Sequence, residues 1–145
     1  MQGLIQRVSN AKVEVNGEIV GEIGKGILLL LGVEKADNEL LAEKLLHKVT
    51  HYRIFTDEQG KMNQSLRDIG AELLVVSQFT LAADTKKGMR PSFSSAATPE
   101  QATHLYEYFV MKAKESGVSV ATGQFAADMQ VSLVNDGPVT FNLSV

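Results

Sequence analysis

Two short runs of continuous apolar residues constrain the fold of this 145-residue chain more than any other feature. The first reads GILLLLGV, residues 26–33, and the second opens the stretch ELLVVSQFTLAA, residues 72–83. A strand with one face in water alternates apolar and polar residues, whereas an unbroken apolar run is typical of a strand covered on both faces. The two runs therefore predict a central sheet with further structure packed on each side.

Helical periodicity predicts two main helices beside this sheet. In residues 37–51, apolar side chains recur at i, i+3, i+4 and i+7, at Ala42, Leu45, Leu46 and Val49. A second helix is predicted to begin after Thr98 as N-cap, with Pro99 in the first turn and Gln101 completing a capping box, and to end at Ser116-Gly117. Two helices for seven or eight strands predict an α/β fold of layered sheets with both main helices on one side.

Composition excludes several classes of function. A chain of 145 residues fits one domain, residues 1–145, and the absence of cysteine removes disulfides, thiolate metal sites and cysteine nucleophiles. No apolar run reaches the ~18 residues that a membrane span requires. The net charge of −3 argues against broad binding to polyanions such as DNA. We expect a cytoplasmic protein that binds neither membrane nor DNA.

The histidines and glycines do not form a recognisable metal or nucleotide site. His47 and His51 have metal-ligand spacing on the first helix, but Lys48 stands where the helical zinc motif places its glutamate. We interpret them, and His104 beside Glu107, as surface residues. The glycines of GEIGKG lack the spacing of a phosphate-binding loop. We therefore predict no metal and no cofactor.

The stretch SQFTL places polar side chains at the end of the second apolar run. Ser77, Gln78 and Thr80 are consistent with a strand that leaves the core with its hydroxyls bonded to nearby backbone, or with a functional site at a strand end. A free hydroxyl is a weak nucleophile, so Thr80 requires an activating base. Asp84 is the only nearby candidate in the sequence.

Two further segments each have an ordinary and a functional interpretation. In VNDGPVTFNLSV, residues 134–145, Gly137-Pro138 is explained by a tight hairpin turn with proline at the first position of a strand, or by a rarer cis peptide. In TKKGMRPSF, the cations Lys86, Lys87 and Arg90 either solubilise a loop or contact phosphate groups.

Taken together, SQFTL and NDGPVT closely resemble the D-aminoacyl-tRNA deacylase family, historically called D-tyrosyl-tRNA deacylase. The resemblance extends over essentially the whole chain, from MQGLIQRVSNAKVEV through RPSFSSAA to GQFAADMQVSLVNDGPVT. It implies a layered β/β/α fold that is partly barrel-like, and a homodimer that hydrolyses the ester of D-aminoacyl-tRNA. The resemblance further implies that L-amino acids are rejected and that glycyl-tRNA is hydrolysed, because glycine is achiral.

The resemblance also implies a role for individual residues. Ser77, Gln78, Phe79 and Thr80 would line the pocket for the aminoacyl end, with Phe125 and Met129 packed around the adenosine or its ester. Gly137 and Pro138, joined by a cis bond, would enter the pocket of the partner subunit, and Arg7 would help hold them. From the local excess of positive charge, we also expect Lys86, Lys87 and Arg90 to contact tRNA.

The mechanism stays open among three alternatives at this point. Catalysis assisted by the 2′-hydroxyl of the terminal ribose, with backbone N–H groups near Phe79 and Thr80 stabilising the oxyanion, agrees with the missing base. The second alternative makes Thr80 a covalent nucleophile, in a deacylase or in a small-molecule esterase. The third is a non-catalytic dimer that binds tRNA through the basic loop.

Overall fold

The computed structural model describes all 145 residues and contains eight strands, three α-helices and one 3₁₀ turn. The strands are β1 Gln2–Val15, β2 Glu18–Ile23, β3 Gly26–Gly32, β4 Phe55–Thr56, β5 Met62–Gln64, β6 Glu72–Ser77, β7 Ser119–Thr122 and β8 Gln130–Ser144. The helices are α1 Glu39–His51, α2 Leu66–Ile69 and α3 Pro99–Glu115, and the 3₁₀ turn is Phe79–Ala82.

Six strands form one mixed sheet that curls almost into a barrel. Its order is β2-β1-β3-β6-β7, and β8 lies along the other edge of β1. The pairs β3–β6 and β6–β7 are parallel, and the remaining pairs are antiparallel. A Cβ atom on Gly21 would lie 2.1 Å from the carbonyl oxygen of Thr122, so only glycine lets β2 approach β7 this closely. The α/β fold class with its partly barrel-like sheet is confirmed.

The two apolar runs are covered on both faces, as their unbroken pattern predicts. Leu29 and Leu73 belong to a cluster of 23 buried residues between the sheet and the helices α1 and α3. Leu28 and Leu74 point the other way, into a cluster of seven buried residues contributed only by strands. The first cluster contains the helix positions that the periodicity predicted, which places both main helices on one side.

The helix ends differ in detail from the predicted ones. Helix α1 begins at Glu39, later than predicted, because Asn38 is its N-cap and the buried Asp37 carboxylate accepts hydrogen bonds from the Met1 ammonium group and the Glu34 amide. The predicted capping box of α3 is half formed. Thr98 accepts from the backbone amide of Gln101, but the Gln101 side chain donates to the carbonyls of Lys35 and Asp37.

None of the three helices combines the length and the apolar composition that a membrane-spanning helix needs.

The short helix α2 was not predicted. It is a single turn closed at both ends by its flanking residues. Ser65 accepts from the Asp68 amide while the Asp68 carboxylate accepts from the Ser65 amide, and Gly70 ends the helix with φ of +62°. A four-residue helix is too short for a periodic pattern to identify it.

The hairpin interpretation of Asp136-Gly137 is wrong. Residues on both sides of this pair run along β1 in one direction: Leu133 pairs with Ala11, and Phe141 pairs with Ile5. The register shifts around Arg7, where residues 136–139 of β8 form a bulge. The Gly137-Pro138 peptide in this bulge is cis. A bulge and a hairpin share the same turn residues, and only the register against β1 distinguishes them.

Candidate active site

A cavity of about 510 Å³ opens where β6 ends. Three parts of the chain line it: the end of β6 with the turn that follows, the start of α3 with the residue two before it, and the connection from β7 into β8. The lining residues are Val76, Ser77, Gln78 and Phe79, then Ala97, Pro99 and Ala102, then Phe125, Ala126, Ala127, Met129 and Val131. The structure thus brings together candidate residues from two distant parts of the sequence, Ser77, Gln78 and Phe79 from one and Phe125 and Met129 from the other.

Ser77 and Gln78 form the polar rim of this cavity, and the way β6 ends explains their position. The parallel ladder with β3 continues to Ser77, and the Gln78 amide still donates to the Leu31 carbonyl at 2.8 Å. The chain then enters the 3₁₀ turn. The first N–H groups of such a turn, those of Phe79 and Thr80, have no acceptor within it. Two adjacent backbone donors therefore lie beside the polar rim.

Thr80 lies next to the cavity and does not line it. Its side chain is exposed, and its hydroxyl oxygen accepts a hydrogen bond from the amide of the Gln78 side chain. Asp84, the one base that the sequence offered nearby, accepts instead from the backbone amide of Lys86. The structure therefore shows no base in contact with the Thr80 hydroxyl.

The cavity lining carries no ionisable side chain. Behind it, the ring of Tyr106 contacts Phe125 with centroids 5.6 Å apart and donates a hydrogen bond from its hydroxyl to the Val75 carbonyl at 3.2 Å. Burial raises the pKa of Tyr106, so its hydroxyl stays neutral and keeps its hydrogen bond. The cavity is an apolar recess with hydrogen-bonding groups only at its rim.

Ala126 is held in an unusual backbone conformation at the edge of the cavity. Its φ is +61°, in the left-handed region that disfavours residues with a Cβ atom. The conformation belongs to a turn in which the Ala127 amide donates to the Gln124 carbonyl at 3.2 Å. This turn directs both Phe125 and Ala126 into the lining.

The Gly137-Pro138 segment does not line this cavity. It lies on the exposed bulge of β8, where Arg7 contacts it from β1. The Arg7 side chain is 12% exposed, and it donates from Nε to the Asp136 carbonyl at 2.9 Å and from Nη1 to the Ile54 carbonyl at 2.8 Å. Asn135 closes the base of the bulge by accepting from the Val139 amide at 2.9 Å.

Only glycine fits at position 137. Its φ is +142°, a conformation that residues with a side chain rarely adopt. A Cβ atom there would lie 2.6 Å from Cγ2 of Val139 and 3.1 Å from Nη2 of Arg7. Since Val139 is buried and Arg7 is hydrogen-bonded, neither neighbour moves away freely.

The three cations of the predicted basic loop are exposed and form no ion pair. Two hydrogen bonds between Asp84 and Ser92, of 2.7 and 3.1 Å, close the loop at its base. Lys86, Lys87 and Arg90 lie within the closed segment, so their charges are directed to solvent.

The histidines lie outside the cavity. His47 and His51 are exposed and stacked with ring centroids 4.1 Å apart, and the His51 Nδ1 atom is hydrogen-bonded to the His47 carbonyl. His104 is exposed too, and it pairs with Glu39 of α1 at 2.9 Å and not with Glu107. No group of three or more His, Asp or Glu side chains is placed to hold a metal ion.

Sequence reasoning missed seven of the lining residues: Val76, Ala97, Pro99, Ala102, Ala126, Ala127 and Val131. All are apolar and carry no reactive group. Pro99 was assigned only a structural role, in the first turn of the predicted helix. No chemical pattern identifies such residues, because their contribution is shape and depends on which segments meet in space.

Comparisons with known proteins identify the family and the fold. Residues 4–144 match the family model described as D-Tyr-tRNA(Tyr) deacylase. The chain is 74% identical to the D-aminoacyl-tRNA deacylase of Pseudoalteromonas translucida and 65% identical to that of Aeromonas hydrophila, each over 100% of both chains. It resembles the solved structure of a c-Myc DNA Unwinding Element Binding Protein, with a TM-score of 0.95, 39% identity and coverage of 100% and 99% of the two chains.

A second solved structure is described as that of a probable eukaryotic D-amino acid tRNA deacylase. It matches with a TM-score of 0.83 over 99% of this chain and 98% of the other. At 18% identity, it supports the fold alone.

Proposed function

The chain belongs to the D-Tyr-tRNA(Tyr) deacylase family, and from this premise we propose that it hydrolyses the ester between a D-amino acid and the terminal adenosine of tRNA. The products are a free D-amino acid and an uncharged tRNA. Its close relatives are named D-aminoacyl-tRNA deacylases, which are hydrolases. The cavity at the end of β6, with Ser77 and Gln78 at its rim, is the proposed site of this hydrolysis.

One observation carries the mechanistic part of the proposal: no lining side chain is ionisable, and the Thr80 hydroxyl contacts no base. General-base catalysis needs a group within hydrogen-bond reach of the proton that it removes. The 2′-hydroxyl of the terminal ribose is next to the ester and meets this requirement from within the substrate. We therefore assign the activation of water to the substrate itself.

In the proposed step, the 2′-hydroxyl orients a water molecule whose oxygen attacks the ester carbonyl carbon. The 2′-hydroxyl oxygen accepts the proton released by the water. The bond to the 3′-oxygen of the ribose then breaks, and the 2′-hydroxyl donates its own proton to that oxygen. The N–H groups of Phe79 and Thr80, which lack acceptors within their turn, would stabilise the negative charge on the carbonyl oxygen. The protein thus positions the substrate and supplies two backbone N–H groups.

The specificity part of the proposal concerns the exposed bulge. We propose a homodimer in which Gly137-Pro138 of each subunit enters the cavity of its partner. Three observations support this arrangement. The Gly137-Pro138 segment is exposed, it does not line the cavity of its own subunit, and Arg7 holds it in place. A rigid backbone probe occupies the space of an L side chain without contacting a D side chain, so it rejects L-amino acids whatever their identity. Its carbonyl oxygens would also accept hydrogen bonds from the α-amino group that all substrates share, so hydrolysis of D-aminoacyl-tRNA requires the intact bulge as well. Glycine has no side chain to reject, so glycyl-tRNA should be hydrolysed too.

The proposed partner is tRNA in the cytoplasm, and we assign no residue to a cofactor or metal. We propose no role in DNA binding, although the structure with a TM-score of 0.95 has a name that refers to DNA. The net charge of −3 supports this choice, since duplex binding needs many cations along the surface. In this chain, only one short loop has an excess of them.

The test of catalysis compares D-aminoacyl-tRNA that ends in adenosine with the same tRNA that ends in 2′-deoxyadenosine, both charged on the 3′-oxygen. We expect hydrolysis of the first and loss of at least two orders of magnitude in rate with the second. Undiminished hydrolysis of the deoxy substrate would refute assistance by the 2′-hydroxyl. In the same assay L-aminoacyl-tRNA should remain intact, and release of neither amino acid would favour the non-catalytic dimer.

Replacing Thr80 by alanine separates the competing mechanism. A covalent nucleophile is indispensable, so Thr80→Ala would abolish hydrolysis if Thr80 formed the intermediate. We expect this variant to retain most of the rate, because the backbone amide of residue 80 is preserved. A rate reduced to background would restore the nucleophile hypothesis.

Subunit mixing tests the exchanged bulge. One variant carries a disrupted cavity, Ala102→Phe, and the other carries a disrupted bulge, Gly137→Val. If the bulge acts across the dimer, mixed dimers contain one intact cavity facing one intact bulge. Two inactive variants should then regain about a quarter of the active sites on mixing. If each bulge served its own subunit, no mixture would be active.

A further inference from the structure

Two phenylalanine rings lie side by side and exposed at the rim of the cavity. The ring centroids of Phe79 and Phe93 are 5.1 Å apart, with an angle of 42° between the ring planes. Phe79 is 58% exposed and Phe93 is 40% exposed. Large aromatic side chains are seldom left in water in pairs unless they bind something. We call Phe79 and Phe93 the aromatic platform.

The backbone around the aromatic platform is hydrogen-bonded. Phe79 begins the 3₁₀ turn, and Phe93 follows Ser92, which is bridged to Asp84. The Ser95 hydroxyl donates to the Ala82 carbonyl at 2.6 Å, which joins the segment of Phe93 to the turn of Phe79. The two rings are therefore held at a fixed separation and form a preorganised surface.

The three free cations lie in the closed loop that ends at Ser92, one residue before Phe93. Lys86, Lys87 and Arg90 have no acidic partner, in a chain whose net charge is −3. Exposed aromatic rings and unpaired cations in adjoining segments are a combination that binds single-stranded nucleic acid, because bases stack on the rings while phosphates meet the charges. Neither feature alone selects this ligand.

We propose that the aromatic platform stacks the unpaired nucleotides that precede the terminal adenosine at the 3′ end of tRNA. That the bound strand is the 3′ end of tRNA rests on the proposed function. That a single strand binds at all rests on the aromatic platform and the three cations. Phe79 also lines the cavity, so the platform adjoins the cavity that would receive the last nucleoside of the strand. Stacking tolerates any base and does not restrict which tRNA is bound.

The kinetic test compares two substrates for Phe93→Ala: full D-aminoacyl-tRNA and a D-aminoacyl ester of adenosine alone, which lacks the preceding nucleotides. We expect KM for the tRNA to rise roughly 5- to 100-fold with kcat little changed, and the minimal ester to be hydrolysed as by the wild type. An equal loss on both substrates would overturn the proposal, because Phe93 would then act on the cavity.

Three variants serve as controls. Phe93→Tyr keeps an aromatic face and should bind tRNA as the wild type does, whereas Phe93→Leu should bind it as weakly as Phe93→Ala. Equal binding by Phe93→Leu and Phe93→Tyr would indicate a purely steric role and contradict stacking. Met111→Ala removes another exposed apolar side chain, 44% exposed and more than three helical turns along α3 from Pro99. It should leave both substrates unaffected.

A binding measurement keeps the platform testable apart from hydrolysis. The probe is a fluorescently labelled oligoribonucleotide of about six nucleotides that ends in CCA and carries no amino acid. This length covers a stacking site of this size. Wild-type protein should bind it, and Phe93→Ala should bind it at least 5-fold more weakly. Failure of hydrolysis with intact binding would refute only the proposed function. Equal binding by both proteins, or a shift of the monomer–dimer equilibrium in Phe93→Ala, would refute the platform.

Discussion

Arg7 donates a hydrogen bond of 2.9 Å from Nε to the carbonyl oxygen of Asp136, and so joins β1 to the bulge that carries Gly137-Pro138. The same guanidinium donates to the Ile54 carbonyl at 2.8 Å. One side chain therefore links the bulge to the chain that precedes β4. The planar guanidinium suits this task, because its several donors are fixed in direction.

Removing this link should release the bulge. We expect Arg7→Ala to lower the free energy of unfolding by about 1–3 kcal/mol, since two carbonyl groups lose their donor. It should also slow deacylation and weaken the rejection of L-aminoacyl-tRNA, measured with both substrates in parallel. Arg7→Lys keeps the charge and should recover only part of either property, because one ammonium group does not reproduce both hydrogen bonds. Unaltered discrimination in Arg7→Ala would contradict a role for Arg7 in the site.

A side chain at position 137 should distort the bulge. We expect Gly137→Ala to lose most deacylase activity, because its Cβ would lie 2.6 Å from Cγ2 of Val139 at a backbone angle that alanine avoids. Gly60→Ala is the matched control: φ there is +79°, and no atom lies within 4 Å of the added Cβ. It should cost about 1 kcal/mol of stability and leave hydrolysis intact. Similar activity in both variants would show that the shape of the bulge is not used.

The basic loop should make the reaction depend on salt. Each phosphate contact on a single strand contributes a slope of about −0.7 in a plot of log affinity against log salt concentration. We expect Lys86→Ala/Lys87→Ala to flatten the salt dependence of kcat/KM for D-aminoacyl-tRNA. Lys44→Ala/Lys48→Ala removes two exposed lysines of α1 and should leave the slope unchanged. Identical slopes in all three proteins would separate the loop from tRNA binding.

The capping box of α2 should contribute to stability at neutral pH and lose that contribution in acid. The hydrogen bond from the Ser65 backbone amide, with a second from its side chain, lowers the pKa of Asp68 below its usual value. A lowered pKa in the folded state gives a contribution that is complete above the unfolded value near 4 and is lost as pH falls through the folded value.

Asp68→Asn should therefore be less stable than the wild type at pH 7, and the difference should shrink between about pH 4 and pH 2. Urea unfolding at several pH values measures it. Glu58→Gln, a change to an exposed carboxylate, should give a difference that is small at every pH. A difference for Asp68→Asn that stays constant down to pH 2 would contradict the assigned hydrogen bonds.

The left-handed conformation of Ala126 should be relieved by glycine. We expect Ala126→Gly to raise the free energy of unfolding by about 1 kcal/mol, because glycine adopts φ of +61° without the clash of a Cβ atom. Ala127→Gly, at a neighbouring residue outside that region, should lower stability by about 0.5–1 kcal/mol. Thermal or chemical unfolding compares the two, and destabilisation by both changes would show that Ala126 is not strained.

Ala126 and Ala127 lie in the part of the site that sequence could not predict. Ala126 and its neighbours line the cavity by virtue of a turn conformation, and nothing in their chemistry distinguishes them from core residues. Ser77 and Gln78 were candidates because polar residues that end an apolar strand form a local pattern, whereas Phe79 was added by the family resemblance. Grouping them with Phe125 and Met129 took the family resemblance, since these segments meet only through the parallel pairing of β6 with β7.

The sequence by itself determined the elements whose causes are local. Unbroken apolar runs specified two strands covered on both faces, and the 3.6-residue periodicity specified both main helices, because burial of a side chain follows from its position along the element. Tertiary structure decided what Gly137-Pro138 is. A hairpin turn and a bulge are compatible with the same residues, and the choice was made by the pairing of residues 130–144 with β1 across more than one hundred residues of chain. Non-local hydrogen bonds, and Arg7 opposite the bulge, thus converted a possible turn into an exposed, fixed segment of strand.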